Sequence, residues 1–192
     1  DVSGHGVPAA FITSMIKSFL VQVDEEKKSD PSKLLNFLNK SLFGLTAENF
    51  VTAFYVIIDF KEMNMTYSNA GHDSPYLISD KSVFKIQPKN KSTALAVFSN
   101  AELKKMDKEY KNDFFKFTNI KKMLIYTDGL SETIPIDNTK IVFEDVIDNI
   151  LLKLAELNVD DLTKKIFSSL KIFRKSSKFD DDICMICVSF DS

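Results

Sequence analysis

The sequence predicts an α+β fold in which two stacked sheets are each covered by helices. Two observations carry this. The order of patterns is helices first, then a run of strands, then helices and one closing strand. Three of the strand-like segments, 50–58, 122–127 and 183–190, are apolar throughout, the pattern of strands covered on both faces. The length of 192 residues suits one domain with a sizeable core.

The elements read in order as follows. Asp1-Val2-Ser3-Gly4-His5-Gly6 is a polar turn punctuated by glycine. A helix follows from Val7 or Pro8 to about Val23, with Pro8 suited to a first helical turn. Its apolar side is expected at Ala10, Phe11, Ser14, Met15, Ser18 and Phe19. The charged stretch Asp24–Asp30 reads as a loop. A second helix runs from Pro31 or Ser32 to about Phe43, burying Leu34, Leu35, Leu38 and Leu42. Strands are expected at Phe50–Asp59, Asn64–Asn69, Tyr76–Ser79 and Val83–Ile86. Residues 88–112 are polar and match no template. Asp113–Thr118 and Lys122–Thr127 read as two strands around a tight turn at Asn119-Ile120-Lys121. Helices near Phe143–Leu157 and Asp160–Phe173 precede a last strand, Ile183–Phe190.

Composition narrows the function classes. Hydrophobic residues make up 44% and charged residues 27%, an ordinary globular balance. A net charge of −2 argues against a nucleic-acid partner or a membrane surface. No run reaches the roughly 18 apolar residues of a membrane span, and no signal peptide is expected. Arg174 is the only arginine, so a clamp of several arginines on a phosphate is not on offer. Cys184 and Cys187 stand three apart on a strand-like segment, facing opposite sides roughly 10 Å apart. A disulfide needs Cα atoms within about 7 Å. Both cysteines read as small buried hydrophobes, and the expected compartment is the reducing cytoplasm.

Three acidic sites adjoin apolar strands. Asp1 opens the glycine turn. Asp128 follows Met123–Thr127 and precedes Gly129. Asp180, Asp181 and Asp182 lead into the last strand. Strand ends in a layered fold share a rim, and carboxylates that converge there repel unless a cation neutralises them. Oxygen donors without cysteine or paired histidine favour Mg²⁺ or Mn²⁺. A lone Asp at a strand end also serves as a turn former or helix cap. The Asp180–Asp182 run could equally be a solvated loop or a charged guard before an apolar strand. No G-x-x-x-x-G-K-[ST] loop is present, which argues against a nucleotide triphosphatase.

Five segments in order resemble the motifs of bacterial PP2C-type serine/threonine phosphatases of the SpoIIE/RsbU kind. DVSGHGVPAAF is similar to their D-x-x-G-H-G-x-x-A-A signature, and FVTAFYVIID to their F-x-T strand. YSNAGHDSPYLI resembles their A-G-H hairpin, LIYTDGLSET their T-D-G block, and FDDDICMICV their closing D-D-x-T strand. The resemblance spans almost the whole chain. It implies a four-layer αββα sandwich, PP2C-like, truncated at the N-terminus before the family's first acidic strand motif.

The resemblance also implies two Mn²⁺ or Mg²⁺ ions at one end of the sheets. Asp1 resembles the carboxylate that bridges both ions, and the Val2 carbonyl a further ligand. Asp128 and Asp181 resemble ligands of one ion, with Asp182 beside them as ligand or outer partner. His5 sits where a general acid for the leaving oxygen could stand; its alternative role is to stiffen the Gly-His-Gly turn. His72 reads as structural. Glu132 either orients the loop after Asp128 or lies at the surface. The implied reaction is hydrolysis of phosphoserine or phosphothreonine on a regulatory protein, of the STAS anti-anti-sigma type, by a metal-activated water. The alternative is a catalytically impaired phosphatase-like binding module. An upstream sensory domain and a homodimer are further expectations. The sequence departs from the family pattern at Ser92–Val97, which lacks the glycines of the G-x-P-L-G loop. It departs also at Cys184, where the family has Thr, and at Phe143-Glu144, where the family has Phe-Gly.

Overall fold

The computed structural model describes residues 1–137 and 139–190. The chain divides into two compact units. The first comprises Asp1–His72 and Pro88–Thr118, the second Asp73–Gln87 and Asn119–Ser192.

The first unit opens with the helix α1, Val7–Gln22, entered through Gly6 at φ 74° with Pro8 in its first turn. Ile12 is its buried residue, and Met15, Ile16 and Phe19 pack against the core. Met15 and Phe19 lie on the side the apolar spacing picked out, but the buried face is rotated toward Ile12 and Ile16, and Phe11 stands 67% exposed. With apolar residues nearly all round, the helix has no unique apolar stripe, so packing rather than pattern selects the face. The expected loop at 24–30 contains a single-turn helix, α2, Glu25–Lys28. Asp24 caps it by accepting from the Lys27 N–H at 2.8 Å. The helix α3, Pro31–Leu42, buries Leu34, Leu35, Leu38 and Leu42 as its spacing predicts. Asp30 caps it, accepting from Ser32 and Lys33 N–H.

The strands β1 (Ala53–Asp59), β2 (Asn64–Ala70) and, later in the chain, β5 (Asp113–Lys116) form an antiparallel sheet in the order β1-β2-β5. Between them lies α4, Asn100–Lys105, in the segment that matched no template. A capping box, Ser99 with Glu102, starts it. Asn39 of α3 is fully buried and ties this segment down. Its side chain donates to Phe98 O at 3.0 Å and Asn100 Oδ1 at 2.6 Å, and accepts from Ala96 N–H at 2.8 Å. Asp113 does similar work, accepting from the N–H groups of Lys89 and Asn90.

The second unit holds an antiparallel sheet in the order β4-β3-β6-β7. Its strands are β3 (Tyr76–Ile78), β4 (Val83–Lys85), β6 (Lys122–Tyr126) and β7 (Met185–Ser189). Its helices are α5 (Asp128–Ser131), α6 (Glu144–Lys153) and α7 (Val159–Arg174). Tyr76, Ile78, Leu124, Tyr126, Phe143, Ile147, Leu162 and Ile166 make its core. Buried Lys122 survives there because its ammonium donates to Ala155 O at 2.7 Å.

Three expectations are corrected. Cys184 is exposed and Cys187 half-buried, because both sit at or beside the edge strand β7. Asp113–Thr118 and Lys122–Thr127 are not a strand pair: β5 pairs with β2, whereas β6 lies between β3 and β7. Both segments are good strand formers joined by a short turn, and local sequence cannot tell a hairpin from a change of sheet. Burial on both faces holds for β6 but not for β1 or β7. Those two are edge strands and stay half-buried, with Ile186 56% exposed.

Candidate metal-binding phosphatase site

In the first unit, Asp1 is tied to the chain before β1. Its backbone N–H donates to Thr52 O at 2.7 Å and its carbonyl accepts from Thr52 N–H at 2.8 Å. Ser3 N–H donates to Phe50 O at 2.9 Å, and Val2 stands opposite Val51 in an antiparallel bridge. The flanking residues make the bonds, so Val2 is the non-hydrogen-bonded partner and its carbonyl points away from 50–52. Asp1 and His5 are both exposed. Gly4 has φ +81°, and a Cβ there would stand 3.1 Å from Asn49 Oδ1. The glycines around His5 thus set a turn that a side chain would strain.

The A-G-H hairpin is also built in this unit. Asn69 brackets it, accepting from His72 N–H and donating to His72 O, each at 2.8 Å. His72 Nδ1 lies 2.8 Å from Thr52 Oγ1. His72 therefore contacts the residue whose backbone holds Asp1, which fits the structural role expected of it. Gly71, at φ +68°, is required twice over. A Cβ there would lie 2.9 Å from Ala94 N.

In the second unit, Asp128 is the first residue of α5, directly after β6. The neighbouring Thr127 does not cap the helix. Its hydroxyl donates to Asp182 O at 3.1 Å and accepts from Cys184 N–H at 3.0 Å, and Thr127 N–H donates to Cys184 O at 3.1 Å. These bonds lock the start of α5 onto the chain leading into β7. Gly129 completes the approach: a Cβ there would collide with the Asp182 carbonyl. Asp128 thus shares a neighbourhood with Asp181 and Asp182, from residues more than fifty positions apart in the chain. Asp128 is half-buried; Asp181 and Asp182 are exposed.

Asp180 is separated from this group by its partner. Arg174 makes a 2.8 Å ion pair with it and donates to Ile134 O at 2.6 Å. The only arginine of the chain is therefore spent on structure. Asp181 Oδ1 accepts from Asp182 N–H at 2.7 Å.

The electrostatics show the crowding of negative charge. Partial desolvation, then the carboxylates of Asp128, Asp73, Glu144 and Asp181, hold Glu132 above its ordinary value. Asp73 and Ser131 were not singled out from the sequence. Ser131, 2% exposed, donates to Asp73 Oδ2 at 2.8 Å and lies 3.3 Å from Asp128 O. The signal was the position of Asp73 next to His72 in a polar hairpin. Among the described residues, no three His, Cys, Asp or Glu side chains stand close enough to enclose a metal ion. The donor set itself fits a hard divalent cation: carboxylates of Asp128, Asp181 and Asp182 share one neighbourhood, and among the described residues no lysine or arginine forms an ion pair with Asp128 or Asp181.

The profile of Stage II sporulation protein E (SpoIIE) matches residues 1–191. The chain belongs to the SpoIIE family. Among its relatives, the phosphoserine phosphatase RsbP of Bacillus subtilis (strain 168) is 28% identical over 193 residues. That alignment takes in 98% of this chain and 44% of RsbP, so the chain spans less than half the length of that relative. Two solved structures show the fold. The SiaA-PP2C domain of Pseudomonas aeruginosa superposes with a TM-score of 0.81 at 18% identity, over 100% of this chain and 73% of that one. The phosphatase domain of SpoIIE from Bacillus subtilis, presoaked with Mn, gives a TM-score of 0.58 at 12% identity over 98% and 75% of the two chains. The expected α+β, PP2C-like fold is therefore the fold of this SpoIIE-family chain, and its sheets are antiparallel. No helix among the described residues is long and apolar enough to cross a membrane.

Proposed function

We propose that this SpoIIE-family chain is the catalytic domain of a divalent-metal-dependent phosphatase acting on phosphoserine or phosphothreonine of a regulatory protein. The observation that carries the reading is the approach of Asp128 to Asp181 and Asp182, enforced by Thr127 and Gly129. RsbP, a phosphoserine phosphatase by name, supports the reaction class. The Mn-presoaked SpoIIE phosphatase domain supports the metal.

The chemistry supplied by two bound Mn²⁺ or Mg²⁺ ions is activation of a water for in-line attack on phosphorus and neutralisation of phosphoryl charge. The chain's part is to hold carboxylates ready. Asp128 is fixed by the first turn of α5, and Asp181 and Asp182 by the chain that runs into β7. Asp182 contributes as ligand or as outer partner, while Asp180 is committed to Arg174. By their motif, Asp1 and the Val2 carbonyl would be ligands as well. His5, exposed on its glycine turn, is the group that gives the leaving oxygen its proton. The substrate class is a phosphorylated protein, with a STAS-type anti-anti-sigma factor as the specific candidate. The working compartment is the cytoplasm. A homodimer and a sensory domain elsewhere in the protein complete the proposal.

The test is hydrolysis of a phosphoserine peptide with Mn²⁺ or Mg²⁺, compared with excess chelator and with Asp128→Asn. Activity that needs the ion and is lost in Asp128→Asn is expected. Undiminished turnover in chelator or in the variant overturns the proposal. Mn²⁺ and phosphopeptide binding without turnover would instead identify a phosphatase-like binding module.

A further inference from the structure

We infer that Asp73 is a positioning residue for Asp128, acting through the buried hydroxyl of Ser131. The inference rests on the metal-site reading above and names part of its support. Three observations join. Asp73 is half-buried at the start of the second unit, in the segment leading into β3. Its Oδ2 accepts a 2.8 Å hydrogen bond from Ser131 Oγ. Ser131 is 2% exposed and its hydroxyl also lies 3.3 Å from Asp128 O. A carboxylate, a buried hydroxyl and the backbone of Asp128 thus form one chain of contacts across α5.

The arrangement does something that stability alone does not call for. The helix α5 is a single turn, Asp128–Ser131, whose N-cap residue makes no side-chain cap bond. One turn makes too few internal hydrogen bonds to hold its own orientation. Its ends must therefore be fixed from outside. Thr127 fixes the front, through Asp182 and Cys184. Asp73 fixes the back, through Ser131. The bonds from Leu130 N–H to Thr127 O, from Glu132 N–H to Asp128 O and from Thr133 Oγ1 to Gly129 O lie within the same stretch of chain and do not tie it to another element. A hydroxyl facing an ionised acceptor makes a charge-assisted bond, stronger than a neutral one. Asp73 also adds its charge to the acidic neighbourhood, as its effect on Glu132 shows. The two roles, hydrogen bond and charge, are separable by substitution.

Asp73→Asn and Asp73→Ala remove the same charge, but only Asn keeps an oxygen to accept from Ser131. The experiment is calorimetric titration of the chain with Mn²⁺ alone, for both variants, each with and without Ser131→Ala. Circular dichroism checks the fold. Outer partners of metal ligands typically contribute about tenfold or more in affinity, so Asp73→Ala and Ser131→Ala should each weaken Mn²⁺ binding by about that factor. Asp73→Asn should bind about fivefold more tightly than Asp73→Ala, what one hydrogen bond is worth. That gap should close in the Ser131→Ala background. Equal affinities for Asp73→Asn and Asp73→Ala would reduce Asp73 to a distant charge and overturn the inference. Unchanged binding in Ser131→Ala would overturn it too, and that single variant decides the matter if Asp73→Ala fails to fold. Loss of binding in Asp128→Asn separates the two proposals: if it occurs while Ser131→Ala binds normally, the metal site stands and the positioning role falls. If the unaltered chain binds no Mn²⁺, the metal site falls and this role with it.

Discussion

Gly129→Ala sets two physical effects against each other at the site. Gly129 lies inside α5 and has no positive φ, so helix propensity alone favours alanine by about 1 kcal/mol. The added Cβ would meet the Asp182 carbonyl, its carbon at 3.0 Å, and the Asp181 carbonyl carbon at 3.5 Å. The obstacle is backbone, locked by the Thr127 bonds, and cannot swing aside as a side-chain tip would. Overpacking of this kind costs about 1–3 kcal/mol, and collision with a fixed carbonyl belongs at the upper end. The net expectation is a loss of about 2 kcal/mol, or a melting temperature lower by about 4–8 °C for a chain of this size. Because the collision drives α5 from the chain before β7, Asp128 and Asp181 separate, and Mn²⁺ affinity should fall in step. Thermal melts by circular dichroism and Mn²⁺ calorimetry are the assays. A variant as stable as the parent with unchanged Mn²⁺ affinity would refute the reasoning that close packing at Gly129 holds the carboxylates together.

Other substitutions probe the frame. Ala96 holds φ +69°, a left-handed backbone that costs an L-residue roughly 1–2 kcal/mol. Ala96→Gly releases that and gives back about 0.4–1 kcal/mol of chain entropy, so a gain of about 0.5–1 kcal/mol should appear in urea unfolding. Asn39→Leu removes the partner of the Ala96 N–H, the Phe98 carbonyl and Asn100 Oδ1, and at about 1–3 kcal/mol per orphaned group the loss in urea midpoint should exceed that of any surface substitution. Burial and the neighbouring carboxylates hold Glu132 above its ordinary value of 4.5, so the folded state binds its proton more tightly than the unfolded chain. In chelator, stability should therefore fall as pH rises from 4.5 toward the raised folded value, and Glu132→Gln should flatten that slope in melts across the range. An unchanged slope in the variant would show that neither burial nor the neighbouring carboxylates raise Glu132 in the folded state.

Several features were decided by residue pattern. Leu34, Leu35, Leu38 and Leu42 recur at helical spacing, and Pro31 and Asp30 set the start, so α3 follows from local physics. The five ordered motifs identified the family, which the profile over residues 1–191 shows, and they named Asp1, Val2, His5, Asp128, Asp181 and Asp182. Local pattern could not decide which sheet a strand joins. Asp113–Lys116 and Lys122–Tyr126 are separated by a short turn yet lie in different sheets, because pairing depends on partners distant in sequence. Nor could it choose the buried face of α1, apolar nearly all round, or foresee that Asn39 would be buried, since a polar residue is tolerated inside only where tertiary partners satisfy it. The same reason separates Asp180 from Asp181 and Asp182. Three identical residues in a row differ only in what the fold sets beside them: Arg174 beside the first, and the turn at Thr127 and Gly129 beside the others.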